Sequence, residues 1–472
     1  MIVGRVNEIA LLEKAYKSNQ SEFIAIYGRR RIGKTFLVRE TLGDRFTFTY
    51  SGMPNTSAKM QLQSFHTSLM EQGHEKCPIP ENWIEAFHQL STFLNKSKDK
   101  RKVVFIDELP WMDGPKSSFL PAFEQFWNNW ASARKDILLI VCGSSTSWII
   151  NKIIKNHGGL HNRLTNRIAL KPFTLSECEK YVRALGIRNM NRQAIIEGYM
   201  IFGGVPYYWS QLEQGMTLAQ NIDRLFFAPD ALFANEFHDL FASLFKNPEP
   251  YMSIITALGK KKVGMTRDEL SAATKLSPSG SFTRYLEELE SCGFIRRYNS
   301  MGARTKNSVF QLIDNFTLFY FRFLASRKNN DPAFWSKNIV TPSYFNWCGL
   351  AFERVCLLHS EQIKKALGIS GIITSEYALR LKEANGMAGA EIDLLFDRAD
   401  KAITLCEIKY TKGKFAITKS YAEQLWNKSE RVQASLKSPR SIFIAMITAN
   451  GLTENEYSDT VQSSITKDEL FD

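Results

Sequence analysis

The run FIAIY (Phe23 to Tyr27) leads straight into Gly28-Arg-Arg-Arg-Ile-Gly33-Lys34-Thr35 and then into the helical pattern FLVRETL. Few features constrain a fold so tightly. A strand, a glycine-rich turn and a helix N-terminus must follow in that order for backbone N–H groups to close around a phosphate. The glycines permit the closure, Lys34 brings a point charge to the β- and γ-oxygens, and the Thr35 hydroxyl is of the kind that ligates Mg²⁺. The expected ligand is ATP with Mg²⁺, contacted by Gly28, Arg29, Arg30, Arg31, Ile32, Gly33, Lys34, Thr35 and Phe36.

About seventy residues on, the apolar run Val103 to Ile106 ends in Asp107 and Glu108, as a buried parallel strand ends at the site-bearing edge of an α/β sheet. Asp107 is assigned to Mg²⁺, and Glu108 to orienting and deprotonating the water that attacks the γ-phosphate. A third run, Ile137 to Cys142, leads to Gly143-Ser144-Ser145. Ser144 at that edge either senses the γ-phosphate or caps the following helix. Arg163, in GLHNRLTNR ahead of the short strand IALKPF, is a candidate charge stabiliser for phosphoryl transfer in its own site or a neighbour's. The alternative is a surface arginine.

At 472 residues, the chain has room for about three domains. A composition 44% hydrophobic and 23% charged excludes disorder and collagen-like repeats. No apolar stretch reaches the ~20 residues of a membrane span, and MIVGRVNEIALLEK lacks a signal peptide's unbroken apolar core, so a cytoplasmic protein is expected. The seven cysteines include no C-x-x-C pair and read as reduced core thiols. The net charge of +12 is concentrated, with +8 in residues 1–170 and +7 in residues 246–339. A polyanion is the partner such an excess suits.

Residues 251–314 give the order helix, helix, helix, hairpin. In the third helix Phe282, Leu286 and Leu289 recur at helical spacing, with Pro278 near the start and Gly293 as the stop. This is a winged helix-turn-helix pattern. Lys260, Lys261, Lys262, Arg284, Arg296, Arg297, Arg304 and Lys306 are candidate phosphate contacts, DNA more than RNA. Glu287, Glu288 and Glu290 on the third helix argue against base reading and leave a purely structural role open. Residues 316–335 are too aromatic for a free linker.

The C-terminal segment carries a second chemistry. LAFERVCLLH sets Glu353 in a helical run, and AEIDLLF and ITLCEIK flank the turn DRADKA. Pairing the last two as a hairpin about residue 400 puts Asp393 opposite Glu407, and the two-residue period puts Lys409 on the same face as Glu407. Two acids and a lysine suit metal-assisted phosphodiester hydrolysis. Asp393 and Glu407 would hold Mg²⁺ or Mn²⁺, Lys409 would position the water, and Glu353 would add a carboxylate. A cross-strand salt bridge in an ordinary hairpin is the alternative.

Val3-Gly4-Arg5 with Glu8, YGRRRIGKT, FIDELPW, CGSS and Gly203-Gly204-Val205-Pro206 resemble the archaeal-type ATPases of the STAND branch of the AAA+ superfamily. That resemblance implies that Val3, Gly4 and Arg5 line the adenine side and that Pro206, on a helical lid, touches the base. Glu353, Asp393 and Glu407-x-Lys409 resemble the PD-(D/E)xK, restriction-endonuclease-like fold often fused behind such ATPases, with Ala390-Glu391-Ile392-Asp393 where many members have Pro-Asp. The expected architecture is a multidomain α/β chain: a P-loop ATPase core (1–170), a helical lid (171–245), a winged helix (246–315), an aromatic connector (316–339) and a nuclease-like domain (340–472). The expected function is an ATPase controlling a metal-dependent DNA nuclease in genome defence or mobile-element maintenance, with nucleotide-dependent self-association compatible with the pattern. The alternative is an ATP-dependent DNA-binding or signalling switch whose C-terminal fold does not cut.

Overall fold

The computed structural model describes residues 2–155, 158–298, 308–325, 327, 331–381, 383, 389–436 and 438–472, Arg380 by its backbone alone. The chain forms two compact units, Met1–Pro172 and Phe173–Asp472. Among the described residues no helix is long and apolar enough to cross a membrane. All seven cysteines are free thiols, and only Cys77 is not buried.

The first unit is built on five parallel strands: β1 (Glu22–Tyr27), β2 (Phe46–Ser51), β3 (Lys102–Asp107), β4 (Ile137–Gly143) and β5 (Asn166–Ala169), in the order β2-β3-β4-β1-β5. Every residue of β3 and β4 is buried, which is why both read as unbroken apolar runs: a central parallel strand is covered on both faces. Successive side chains alternate between two cores. Ile24, Ile26, Val103, Phe105, Leu138 and Ile140 pack with Leu12, Leu37 and Val38 from helices Val6–Lys17 and Lys34–Leu42. Phe23, Ala25, Val104, Ile106, Leu139 and Val141 pack with residues of helices Ala58–Glu71, Trp83–Lys96 and Phe119–Gln125 on the other face. Because the strands are parallel, their C-terminal ends all deliver residues to one edge.

In the second unit a single apolar cluster runs from Phe173 to Phe471. Helix Leu175–Ala184 begins at a capping box between Thr174 and Glu177, and helix Arg192–Phe202 follows. Beyond helix Glu236–Leu244 come helices Glu249–Gly259, Arg267–Thr274 and Gly280–Ser291, with Phe282, Leu286 and Leu289 buried on the last. Gly293 stops that helix at φ 74°. Strands β6 (Met265–Thr266), β7 (Ile295–Tyr298) and β8 (Val309–Leu312) form an antiparallel sheet in the order β6-β8-β7. The aromatic stretch that follows is docked: Phe316, Phe319, Phe323 and Trp335 are buried. Phe319 and Phe323 pack edge-on to Trp335 and Trp347.

The C-terminal part has the strands β9 (Thr374–Leu381), β10 (Ala390–Arg398), β11 (Ala402–Lys409), β12 (Phe415–Ala416), β13 (Ser441–Thr448), β14 (Leu452–Thr453) and β15 (Ser463–Ile465). Five make one mixed sheet, β15-β13-β11-β10-β9, while β12 and β14 pair separately. β9, β10 and β11 are antiparallel neighbours, and β11, β13 and β15 run parallel. One face packs Leu425 and Val432 of helix Lys419–Ser435 against Leu395, Leu405 and Met446. Cys406, Ile408 and Ile447 on the opposite face join the core containing Phe352, Val355 and Cys356 of helix Pro342–Leu358. This α/β layering sets Glu353 on one covering helix and Asp393 and Glu407 on two adjacent strands.

Candidate functional site

The first site lies where β1, β3 and β4 end. Gly28 leaves β1 at φ +142°, and a Cβ there would come within 2.3 Å of the Leu170 carbonyl oxygen. Only glycine fits such an approach. Gly33, at φ +86°, precedes helix Lys34–Leu42. Lys34 is buried, and its Nζ donates to the carbonyls of Gly28 and Arg29, at 3.0 Å each. Arg29 is buried, Arg31 half-buried with φ 70°, Ile32 buried, and Arg30 and Phe36 exposed. Val3, Gly4 and Arg5 lie between Ile2 and Ile9, which pack into the cluster that also holds Ile32.

The Thr35 hydroxyl donates to Asp107 Oδ2 at 2.7 Å. The other oxygen, Oδ1, accepts from the Glu108 N–H at 2.9 Å and from the Cys142 thiol at 2.6 Å. Burial and the neighbouring Asp107 carboxylate push the Cys142 thiol well above its ordinary pKa, so it stays a protonated donor. Glu108 adopts a left-handed φ of 47°, and its carboxylate accepts from the Ser144 N–H at 3.0 Å and the Ser144 hydroxyl at 2.9 Å. The Glu108 carboxylate is thus tied to the tip of β4. Thr35 and Asp107 form a hard-oxygen pair suited to Mg²⁺. Arg163 is exposed, in a turn that closes with its N–H on the Leu160 carbonyl. Pro206 opens a short helix in the second unit. Of the preceding glycine pair, Gly204 is required by packing, since a Cβ there would meet the Phe173 carbonyl oxygen at 1.9 Å, whereas Gly203 sits in open space at φ +58°.

The second site is the C-terminal acid cluster. The β10–β11 register pairs Leu394 with Cys406, and the next step brings Asp393 beside Glu407. The Ile408 N–H donates to Asp393 Oδ2 at 3.3 Å. A register shift between β9 and β10 falls between Ile392 and Leu395, a bulge of the kind that re-aims a side chain. Glu407 is buried and ringed by donors: Lys428 Nζ at 2.5 Å, the Tyr421 hydroxyl at 2.9 Å and Lys409 Nζ at 3.0 Å. Burial works to raise its pKa, but Lys428 and Lys409 outweigh that and hold it below the ordinary value. Asp393 goes the other way, pushed up to about 7 by burial and by the Glu353 and Glu407 carboxylates.

Glu353 is buried and takes Arg354 Nη1 at 2.5 Å and Lys262 Nζ at 3.0 Å. Lys262 also lies 3.8 Å from Glu391 and 3.9 Å from Asp393. Three ammonium groups therefore stand where these acids converge, supplying the positive charge that a divalent ion would bring, and the oxygen donors suit Mg²⁺ or Mn²⁺. Among the described residues no group of three or more His, Cys, Asp or Glu is arranged to hold a metal.

Of the basic residues read as phosphate contacts, Lys260, Lys261, Arg284 and Arg297 are exposed. Lys262 is exposed too, but its ammonium is engaged by the acids. Arg296 also departs from the expectation. It turns inward, donates from Nε to Gln311 at 2.7 Å and lies 5.0 Å over the Tyr298 ring, with burial lowering its pKa to about 10. Arg304 and Lys306 lie outside the described residues. The sequence singles out Lys428, with Gln424, as a helix-borne candidate for substrate contact; the structure sets Lys428 on Glu407 together with Tyr421, which the sequence reading missed although its spacing of seven from Lys428, two helical turns on one face, was the available signal.

A parallel sheet with β4 between β1 and β3, a glycine loop feeding a helix, and a Thr35–Asp107 pair define a P-loop nucleoside triphosphatase. Residues 2–212 match the model of an ATPase domain found predominantly in Archaea. Two proteins of Methanocaldococcus jannaschii are similar. One, uncharacterised, is 24% identical over 451 residues, 92% of each chain. The other, an uncharacterised ATP-binding protein, is 40% identical over 45 residues, 10% of this chain and 76% of that one. Among solved structures, the Walker-type ATPase of Pyrococcus abyssi matches with TM-score 0.47 and 14% identity, over 68% of this chain and 96% of that one. The ORC2 protein of Aeropyrum pernix, in its ADPNP–ADP complexes, matches with TM-score 0.42 and 12% identity, over 75% and 95%.

Proposed function

We propose that this ATPase is a STAND-type member of the AAA+ superfamily whose nucleotide state controls a metal-dependent DNA nuclease in its C-terminal part, with a role in genome defence or mobile-element maintenance. In the first site Lys34 holds the β- and γ-phosphates, Thr35 and Asp107 hold Mg²⁺, and Glu108 orients the attacking water and takes its proton. The Ser144 bonds keep the Glu108 carboxylate parked until the γ-phosphate offers Ser144 another acceptor. Val3, Gly4, Arg5 and Pro206 are assigned to the base, Arg163 to transition-state charge, and nucleotide-dependent self-association would let Arg163 serve a neighbour.

In the C-terminal part Asp393 and Glu407 hold Mg²⁺ or Mn²⁺, Lys409 positions the attacking water, and Glu353 adds a third carboxylate. A divalent cation supplies charge for the developing negative oxygens. Lys260, Lys261, Arg284 and Arg297 contact the DNA backbone. The observation that carries this reading is the convergence of acids from one helix and two strands, with Asp393 and Glu407 raised and lowered in opposite directions. One observation favours a second reading, a binding or signalling switch that does not cut: each carboxylate already has a basic partner within 4.0 Å.

Supercoiled plasmid with Mn²⁺ separates the two. Wild type should nick or linearise it, and Asp393→Ala should not. Intact plasmid that is retained in an ATP-dependent way establishes the switch instead.

A further inference from the structure

The Lys262 ammonium lies within 4.0 Å of three carboxylates from two elements, Glu353 of helix Pro342–Leu358 and Glu391 and Asp393 of β10. It comes from the turn after helix Glu249–Gly259, well before the acid cluster in sequence. A solvated surface lysine has no need of such surroundings, and its backbone is fixed as well. The Lys262 carbonyl accepts from Arg354 Nη2 at 2.6 Å and from Gln311 Nε2 at 2.9 Å. The Tyr298 hydroxyl donates to the next carbonyl, that of Val263, at 2.5 Å.

Arg354 is the centre of this clamp. It is 1% exposed, and besides the Lys262 carbonyl it donates from Nε to the Leu312 carbonyl at 3.0 Å and from Nη1 to Glu353 at 2.5 Å. One buried guanidinium thus ties the basic turn, β8 and the Glu353 helix together. An ammonium among three acids occupies the volume and neutralises the charge that a divalent cation needs.

We propose that Lys262 is a built-in occupant of the cation site, so that its side chain gates metal loading. The proposal rests on the nuclease reading above. It adds a regulatory step: the acids load a divalent ion when the Lys262 side chain, 48% exposed, rotates out to solvent while its clamped backbone stays in place. The ion enters as Lys262 leaves, so the positive charge facing the acids is exchanged and not simply added.

Mn²⁺ binding, followed by calorimetry and electron paramagnetic resonance on the nucleotide-free full chain, tests this without any turnover. Lys262→Met should bind Mn²⁺ at least about tenfold more tightly than wild type, since one unit charge near 4 Å is worth at least that. Lys262→Arg, which keeps the charge, should match wild type, and Lys262→Gln gives the same reading as the Met variant should that one fold poorly. The gain should vanish in Lys262→Met/Asp393→Ala. If Asp393→Ala removes a Mn²⁺ site but Lys262→Met and Lys262→Gln bind no more tightly than wild type, the gate is refuted and the nuclease reading stands. If no protein shows an Asp393-dependent Mn²⁺ site, both fall.

Discussion

His359 gives the sharpest quantitative prediction, because its environment permits only one protonation state. It follows the helix that carries Glu353 and is 1% exposed. Its Nδ1 lies 2.8 Å from the Val355 carbonyl, which can only accept, so Nδ1 carries the proton. Nε2 must then be bare, and it accepts the Leu175 N–H at 2.9 Å, joining the Glu353 helix to the start of helix Leu175–Ala184. Burial lowers the pKa from 6.5 to about 4. For a base with a depressed folded pKa, the unfolded chain binds more protons between these values. Its contribution is therefore intact above pH 6.5 and is lost as pH falls toward 4. The loss is roughly 2 kcal/mol between pH 7 and pH 5, and roughly 3 by pH 4. Urea unfolding of wild type and His359→Gln at pH 7 and pH 5 measures it. Gln does not titrate, so the stability gap between the two proteins should narrow by that amount on acidification. A gap that stays constant from pH 7 to pH 5 would refute the tautomer argument.

Two further predictions concern the ATPase domain and its boundary. Glu108→Gln should leave ATP affinity within about threefold of wild type while phosphate release falls on the order of a hundredfold or more, the loss expected for a general base. An equal loss of affinity would place Glu108 in binding instead. Gly204→Ala should lower stability by on the order of 1–3 kcal/mol, because the added methyl meets the Phe173 carbonyl and the backbone must yield. Thermal melting reads this, and an unchanged Tm would contradict the close approach.

The nucleotide site was legible because its determinants are local. Strand, loop and helix are consecutive, and the Asp107–Glu108 strand end announces itself by its apolar run. The β10–β11 hairpin was legible for the same reason, a two-residue period about a polar turn. What the sequence concealed is tertiary. Nothing near Lys262 indicates that it meets Glu353 and Asp393 across more than ninety residues, so a lysine run reads as a polyanion surface. Arg354, beside Glu353, could not be recognised as the clamp on that turn. Cys142 meets Asp107 only because β4 lies next to β3 in the sheet. Arg296 was misjudged although a signal existed: adjacent residues on a strand face opposite ways, so of Arg296 and Arg297 one had to turn inward.

The central claim is that nucleotide state governs the C-terminal acids. The direct measurement is the rate of supercoiled plasmid cleavage in Mn²⁺ by wild type and Lys34→Ala, each without nucleotide, with ATP and with a non-hydrolysable ATP analogue. The account predicts that ATP and the analogue change the wild-type rate by about tenfold or more and leave Lys34→Ala unchanged, because Lys34 is the residue proposed to hold the nucleotide's phosphates. A wild-type rate indifferent to nucleotide, or a Lys34→Ala protein that responds as wild type does, would contradict it.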